Sequence, residues 1–230
     1  MIKGFRGTSL IDYPGKISSV IYTYLCNYRC PYCYNVDLVL PERANRLPDI
    51  PEEYILQELM RRRGFIKGVV ITGGEPTLWG RRLVNFIEKI YYEVGLPVKL
   101  DTNGSNPELI KVLFDMEILD FLALDFKTSP QKYKKIGGDF KKIEKTLEIA
   151  SLKPERVEVR ITFYPPLVSQ RDLEEMLPYL KKFKFIAFQK YIPGKTLKKN
   201  NISPYSPDFY NWAKGLFKKH LPEAEIVERI

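Results

Sequence analysis

Along the chain, short runs of consecutive apolar residues alternate with longer stretches in which apolar residues return every three or four positions. The first pattern belongs to a strand buried on both faces, the second to a helix with one face in the core. Segments 18–24, 68–72, 97–102, 119–126, 156–163 and 185–191, the first an apolar run, read as strands. Between the first two, residues 51–63 carry Tyr54, Ile55, Leu59 and Met60 at helical spacing. Residues 81–94 do the same with Leu83, Val84, Ile87, Ile90 and Tyr91. Helices are also expected over 107–115, opened by Asn106 as a cap, near 140–150 and 170–182, and from about 207 to 219. A short strand or tail over 225–228 closes the chain.

Strand–helix alternation dictates parallel pairing, because parallel neighbours need long crossovers of one hand. The expected fold class is α/β, with parallel strands in an open, partial (β/α)6 barrel. With 230 residues, 44 % of them hydrophobic, the chain can bury a substantial core. We expect one domain over 1–230, its core at about 18–193 and a C-terminal helix and tail at about 194–230.

Such a fold binds ligands at the C-terminal ends of its strands, and polar residues gather there. Gly73, Gly74, Glu75 and Pro76 follow the second strand; Asp101, Thr102, Asn103 and Gly104 follow the third. Asp125 and Lys127 end the fourth, Arg160 lies in the fifth and Gln189 in the sixth. Each has a bland reading as a turn, a cap or a strand pair. Together on one rim they read as a site.

Charge narrows the picture only a little. The formal net charge of +9 favours acidic partners, nucleic acid or an anionic substrate. The basic residues, however, are spread over 61–63, 132–135, 141–145, 181–184 and 195–199, many interleaved with acids. Solvated helix faces account for most of them, so a dedicated nucleic-acid surface is not favoured. No apolar run approaches the roughly 18 residues of a membrane span. No membrane partner is expected, and the chain reads as cytoplasmic.

All three cysteines fall within Cys26-Asn27-Tyr28-Arg29-Cys30-Pro31-Tyr32-Cys33. Structural zinc is held by four ligands, yet there is no fourth cysteine and the one histidine, His220, belongs to the expected C-terminal helix. The odd count and the lack of an N-terminal signal sequence argue against a disulfide. Three thiolates suit three corners of a [4Fe-4S] cluster, with one iron left open for chemistry.

This cysteine run just after a strand, with Gly73-Gly74-Glu75-Pro76 ending the next, resembles the radical S-adenosylmethionine (SAM) enzymes over the chain up to about residue 193. Within them it is similar to activating enzymes of glycyl-radical proteins, particularly anaerobic ribonucleoside-triphosphate reductase activators. The carriers are the segment Gly4-Phe5-Arg6-Gly7-Thr8-Ser9-Leu10-Ile11-Asp12-Tyr13-Pro14-Gly15-Lys16, residues 157–162, and Phe188-Gln189-Lys190-Tyr191. Where those activators commonly have His-Asn after the last cysteine, this chain has Tyr34-Asn35. It also lacks the cysteines of auxiliary clusters, which points to a single cluster.

The resemblance implies a cluster on Cys26, Cys30 and Cys33 that cleaves SAM to a 5′-deoxyadenosyl radical. Carbonyls at Gly73 and Gly74 are expected to take the SAM ammonium, with Glu75 and Pro76 supporting that loop. Asp101 and Gln189 suit the ribose hydroxyls, Lys127 and Arg160 the carboxylate, and Tyr32 the adenine. Asp101, Thr102 and Asp125 are read alternatively as holding a monovalent cation, and Asn103, like Thr102, is counted among the cofactor-binding residues. The implied partners are a glycyl-radical enzyme, foremost anaerobic ribonucleotide reductase, and a low-potential electron donor such as ferredoxin or flavodoxin. Its glycine loop is expected at a mouth flanked by Tyr34, Asn35, Phe163, Tyr164 and residues 192–205. The alternative is a radical SAM enzyme acting on a small molecule, a nucleoside or RNA.

Overall fold

A computed structural model describes residues 1–199 and 201–229. In chain order the elements are β1 (Ile2–Ser9), β2 (Ser18–Thr23), α1 (Val36–Val39), α2 (Pro41–Ala44), α3 (Glu52–Arg62), β3 (Gly68–Gly73), α4 (Arg81–Lys89) and β4 (Val98–Thr102). There follow α5 (Pro107–Asp115), β5 (Phe121–Asp125), α6 (Phe140–Ala150), β6 (Val157–Phe163), α7 (Gln170–Met176), β7 (Phe185–Lys190), α8 (Pro207–His220) and β8 (Glu225–Arg229). The chain divides into two compact units. One comprises Met1–Asn27, Asn35–Thr102 and Glu108–Leu122; the other comprises Tyr28–Tyr34, Asn103–Pro107 and the chain from Ala123 onward.

In the first unit β2 pairs in parallel with β3 (Val20 with Val70, Ile21 with Ile71) and β3 with β4 (Ile71 with Leu100). Val20, Ile21, Val69, Val70, Ile71, Val98 and Leu100 are all fully buried. Burial on both faces is why Val20-Ile21 and Val69-Val70-Ile71 stand as consecutive apolar residues, while in β4 Lys99 interrupts Val98 and Leu100. Helix α4 buries Leu83, Val84, Phe86 and Ile87, and its expected continuation to residue 94 is a single wider π turn over Ile90–Val94.

One strand of this unit has no counterpart among the expected elements. β1 pairs antiparallel with β2, and its half-buried, glycine-interrupted sequence gives no apolar run. The loop joining the two is anchored by Tyr13, whose ring lies against Gly68 at the start of β3. The Tyr13 hydroxyl is bonded to Asp120, and Lys16 Nζ sits 2.8 Å from the same carboxylate. Tyr13 therefore braces the strand end opposite Gly73.

In the second unit β6, β7 and β8 pair in parallel, with Val159 beside Ile186 and Ile186 beside Ile226. The tail expected at 225–228 is thus a full partner of β7. Aromatic rings fill this core: Phe163 and Phe188 lie 4.7 Å apart, and Phe188 meets Phe217 of α8 edge-on at 4.9 Å. Helix α7 starts at a capping box between Ser169 and Asp172. Asp172 also accepts from Ser129 Oγ (2.6 Å) and Lys132 Nζ (2.5 Å), tying the chain after β5 to the start of α7. The observed architecture is α/β with parallel strands. Among the described residues no helix is long and apolar enough to cross a membrane.

Candidate functional site

The cysteine run leaves β2 and is divided between the two units, Cys26 in the first, Cys30 and Cys33 in the second. All three are free thiols, Cys30 buried and the others partly so. Cys33 N–H donates to the Cys30 carbonyl at 3.0 Å, closing a tight turn. Arg29 N–H donates to the Ile136 carbonyl at 2.8 Å. A strap from the chain after β7 secures the same turn: Leu197 N–H donates to Cys33 O and Lys198 N–H to Pro31 O, each at 3.0 Å. Tyr34 adds a reciprocal pair, its hydroxyl donating to Ile192 O at 2.8 Å and accepting from Ile192 N–H at 2.7 Å.

Burial pushes the Cys30 thiol up to about 11, against a downward pull from the Lys127 ammonium. A bare thiolate is therefore disfavoured there. The Tyr32 hydroxyl is buried without a conventional hydrogen-bond partner and lies near enough to Cys30 to interact with its sulfur. Its ring packs on Tyr164, 5.3 Å between centroids. Among the described residues no three Cys, His, Asp or Glu side chains gather around one point that a single ion could fill. A cluster takes one thiolate on each of three irons, and this run supplies three free thiols. The donor set therefore fits an iron–sulfur cluster.

In the first unit Gly73 and Gly74 are fixed by the chain itself. A Cβ on Gly73 would stand 2.2 Å from Thr23 O, and one on Gly74 1.9 Å from Leu25 O. This close approach lets Gly74 N–H donate to Thr23 O (3.0 Å) and Glu75 N–H to Leu25 O (2.7 Å). The Gly73 carbonyl accepts from the Asn35 side-chain amide at 2.8 Å. Glu75 is fully buried, and its Oε1 accepts from Thr77 N–H (3.1 Å), Thr77 Oγ1 (2.6 Å) and Thr102 Oγ1 (2.6 Å). It braces the loop against the end of β4, while Pro76 opens a short 3₁₀ turn over Pro76–Trp79. Asp101, two residues from the buried Lys99 along β4, is ion-paired with it.

In the second unit Asp125 lies between two cations, Lys127 Nζ at 3.0 Å and Arg160 Nε at 2.8 Å. Burial pushes its carboxyl up, but Arg160 and Lys127 outweigh this and leave it at about 2. Lys127 is held well above its ordinary value by the same carboxylate, against the effect of burial. The triad carries one net positive charge. Gln189 Oε1 accepts from Thr162 Oγ1 at 3.1 Å, and Asn103 Oδ1 accepts from Ser105 N–H at 2.9 Å, fixing the turn after β4.

Some expectations change. Phe163 and Tyr164 are buried, Phe163 among Phe188, Phe209 and Tyr210, so neither flanks an open mouth. Tyr34 is exposed and so is Asn35. Asn200, inside the stretch 192–205, lies outside the described residues. The sequence reading missed Lys99, Asn35 as a support of Gly73, and the 197–198 strap. Lys99 left a signal, a charge within an apolar strand run; the strap, made by backbone groups, left none.

The Radical SAM superfamily profile matches residues 20–186. A Methanocaldococcus jannaschii protein that carries the provisional name of a glycyl-radical enzyme activating enzyme is 33 % identical over 202 residues, 84 % of this chain and 80 % of its own. The pyruvate formate-lyase-activating enzyme of Clostridium pasteurianum is 25 % identical over 90 % of this chain and 87 % of its own. Among solved structures, Streptococcus suis SuiB bound to S-adenosylmethionine shares the fold with a TM-score of 0.63 at 15 % identity, over 91 % of this chain. The chain spans about half of that protein's length, 49 %. The chain belongs to the radical SAM superfamily, whose members work with a [4Fe-4S] cluster and S-adenosylmethionine, and it resembles the glycyl-radical enzyme activating enzymes.

Proposed function

We propose that this protein installs a glycyl radical on a partner enzyme, and that the partner is an anaerobic ribonucleoside-triphosphate reductase. Cys26, Cys30 and Cys33 are the cluster ligands in this reading. A [4Fe-4S] cluster held there would supply one electron, taken from a carrier such as ferredoxin or flavodoxin, for cleavage of a C–S bond of SAM to methionine and a 5′-deoxyadenosyl radical. The chain's own residues bind, orient and exclude water. Lys127 and Arg160 offer the SAM carboxylate a site with one positive charge in excess over Asp125. Asp101 and Gln189 take the ribose hydroxyls, and the Gly73 and Gly74 carbonyls, aimed by Asn35 and the Glu75 brace, take the ammonium. Tyr32 stands by the adenine. Thr102 and Asn103 hold the loop rather than the ligand.

The observation that carries the SAM reading is the buried Asp125–Lys127–Arg160 triad, because Lys127 also acts on Cys30. Two cations on one carboxylate, next to a buried thiol, suit an anionic group bound beside a cluster. The choice of partner rests on the segment from Gly4 to Lys16 and on the relatives' names. The proposal includes a single domain over 1–230, built as an open, partial (β/α)6 barrel that admits a glycine-bearing loop. Electron paramagnetic resonance tests it on a mixture of this protein, SAM, reductant and the reductase. A glycyl doublet that needs all four components is expected. No doublet with a competent reductase, together with turnover of a nucleoside or other small molecule, would overturn the choice of substrate and favour the second class of radical SAM enzyme.

A further inference from the structure

Lysine is among the residue types least often fully buried, and where it is, a partner holds its charge. Lys99 is 0 % exposed in the middle of β4, between Val98 and Leu100 and in register with Val70 of β3. An apolar side chain there would continue the core of the first unit. Residues two apart in a strand share a face, so Lys99 points to the side of Asp101, and its Nζ is paired with Asp101 Oδ1. The Lys99 side chain is 1 % exposed and that of Asp101 12 %. The ammonium thus lies beneath the carboxylate, which stands nearer the strand end.

A tethered charge in that position does what a bound ion would do. It neutralises the Asp101 carboxylate and fixes its orientation, so that little ordering remains when a ligand hydroxyl arrives. The resemblance offered Asp101, Thr102 and Asp125 as ligands of a soluble monovalent cation. The residues do not fit that ion. Asp101 already holds the Lys99 ammonium, the Thr102 hydroxyl donates to Glu75, and Asp125 holds both Lys127 and Arg160. A further cation at either carboxylate meets like charge at close range.

We propose that Lys99 is a positioning residue, the resident counter-cation of Asp101, and that SAM binding by this protein therefore requires no inorganic monovalent cation. The inference rests on the reading of Asp101 as a ribose contact. Equilibrium dialysis of SAM against the cluster-loaded protein, in potassium, sodium or choline chloride at one ionic strength, tests it. Wild-type affinity is expected to agree within about twofold across the three salts. Lys99→Met is expected to lose tenfold or more in choline and to recover most of that loss in potassium or sodium, a rescue that a merely structural role would not give. If the single variant does not fold, Lys99→Met/Asp101→Asn removes both charges together and should bind weakly and equally in all three salts. Wild-type binding that strengthens fivefold or more in potassium over choline overturns the assignment, as does Lys99→Met binding like wild type in choline. Wild-type protein that binds no SAM in any salt overturns the SAM reading itself, and this inference with it.

Discussion

Replacing Gly74 with alanine tests the loop geometry at its tightest point. The new Cβ would lie 1.9 Å from the Leu25 carbonyl oxygen, and the gap must open by roughly 1.1 Å to reach 3.0 Å, the closest separation such contacts tolerate. Both sides of the contact are backbone, so no side chain can swing away. Opening the gap strains the donations from Gly74 N–H to Thr23 O and from Glu75 N–H to Leu25 O. A buried donor left unmet costs about 1–3 kcal/mol, so the two together cost about 2–6 kcal/mol. For a chain of this size each kcal/mol moves the melting temperature by about 2–4 °C, which gives a fall of about 4–24 °C. Gly215→Ala is the matched control, since that glycine lies inside α8 with open space around its Cβ position. Helix propensity alone should raise stability there by about 0.5–1 kcal/mol. Thermal and urea unfolding of both variants decide the matter. A Gly74→Ala protein within about 0.5 kcal/mol of wild type would refute the claim that backbone contact, rather than ligand approach, dictates this glycine.

Asp125→Asn leaves two cations without the carboxylate they share and should cost about 3–5 kcal/mol in urea unfolding. Adding Lys127→Met should cost less than the sum of the two single losses, and strict additivity would contradict the triad. Because the Asp125 carboxyl is depressed to about 2, its contribution is complete above the ordinary carboxylate range and fades only as pH falls from about 4 towards 2. The gap between wild type and Asp125→Asn should therefore stay constant from neutral pH to about pH 5, and a gap that shrinks earlier would refute the assignment. In iron-free protein, Cys30 alkylation should keep accelerating up to about pH 11, and Lys127→Met should slow it further by removing the downward pull; a plateau near pH 9 would contradict this. Lys198→Pro deletes the N–H that donates to Pro31 O. Loss of about 0.5–1.5 kcal/mol from the strap should speed bleaching of the cluster in air about two- to tenfold, and an unchanged rate would show that the strap does not shield it.

The elements legible in the sequence are those whose burial leaves an unambiguous pattern. β3, β5 and much of β7 are apolar runs because both faces are covered, whereas β6 alternates Glu158, Arg160 and Thr162 with buried apolar residues and β4 is interrupted by Lys99 and Asp101. β1 alternates with glycines, and α1 and α2 are four-residue turns too short to show a period. The site was legible as residue types and only partly as roles. Gly73 and Gly74 stood out in the sequence, but the reason for them is the passage of Thr23 and Leu25 against them, a contact between distant parts of the chain. Lys127 and Arg160 stood out as cations, yet their shared claim on Asp125 includes a contact between residues 35 apart in the chain, which no local pattern announces. Asn35 could be named as the residue after Tyr34 and a flank of the expected mouth, but nothing local says that its amide will reach Gly73.

The central claim is that the thiolates of Cys26, Cys30 and Cys33 hold a cluster that cleaves SAM reductively. Anaerobically reconstituted protein should hold about four iron and four sulfide per chain. With a strong reductant it should release 5′-deoxyadenosine and methionine from SAM in equal amounts, and Cys30→Ala should bind no cluster and release neither. A cluster-loaded protein that yields no 5′-deoxyadenosine, or a Cys30→Ala variant that yields as much as wild type, would contradict the account.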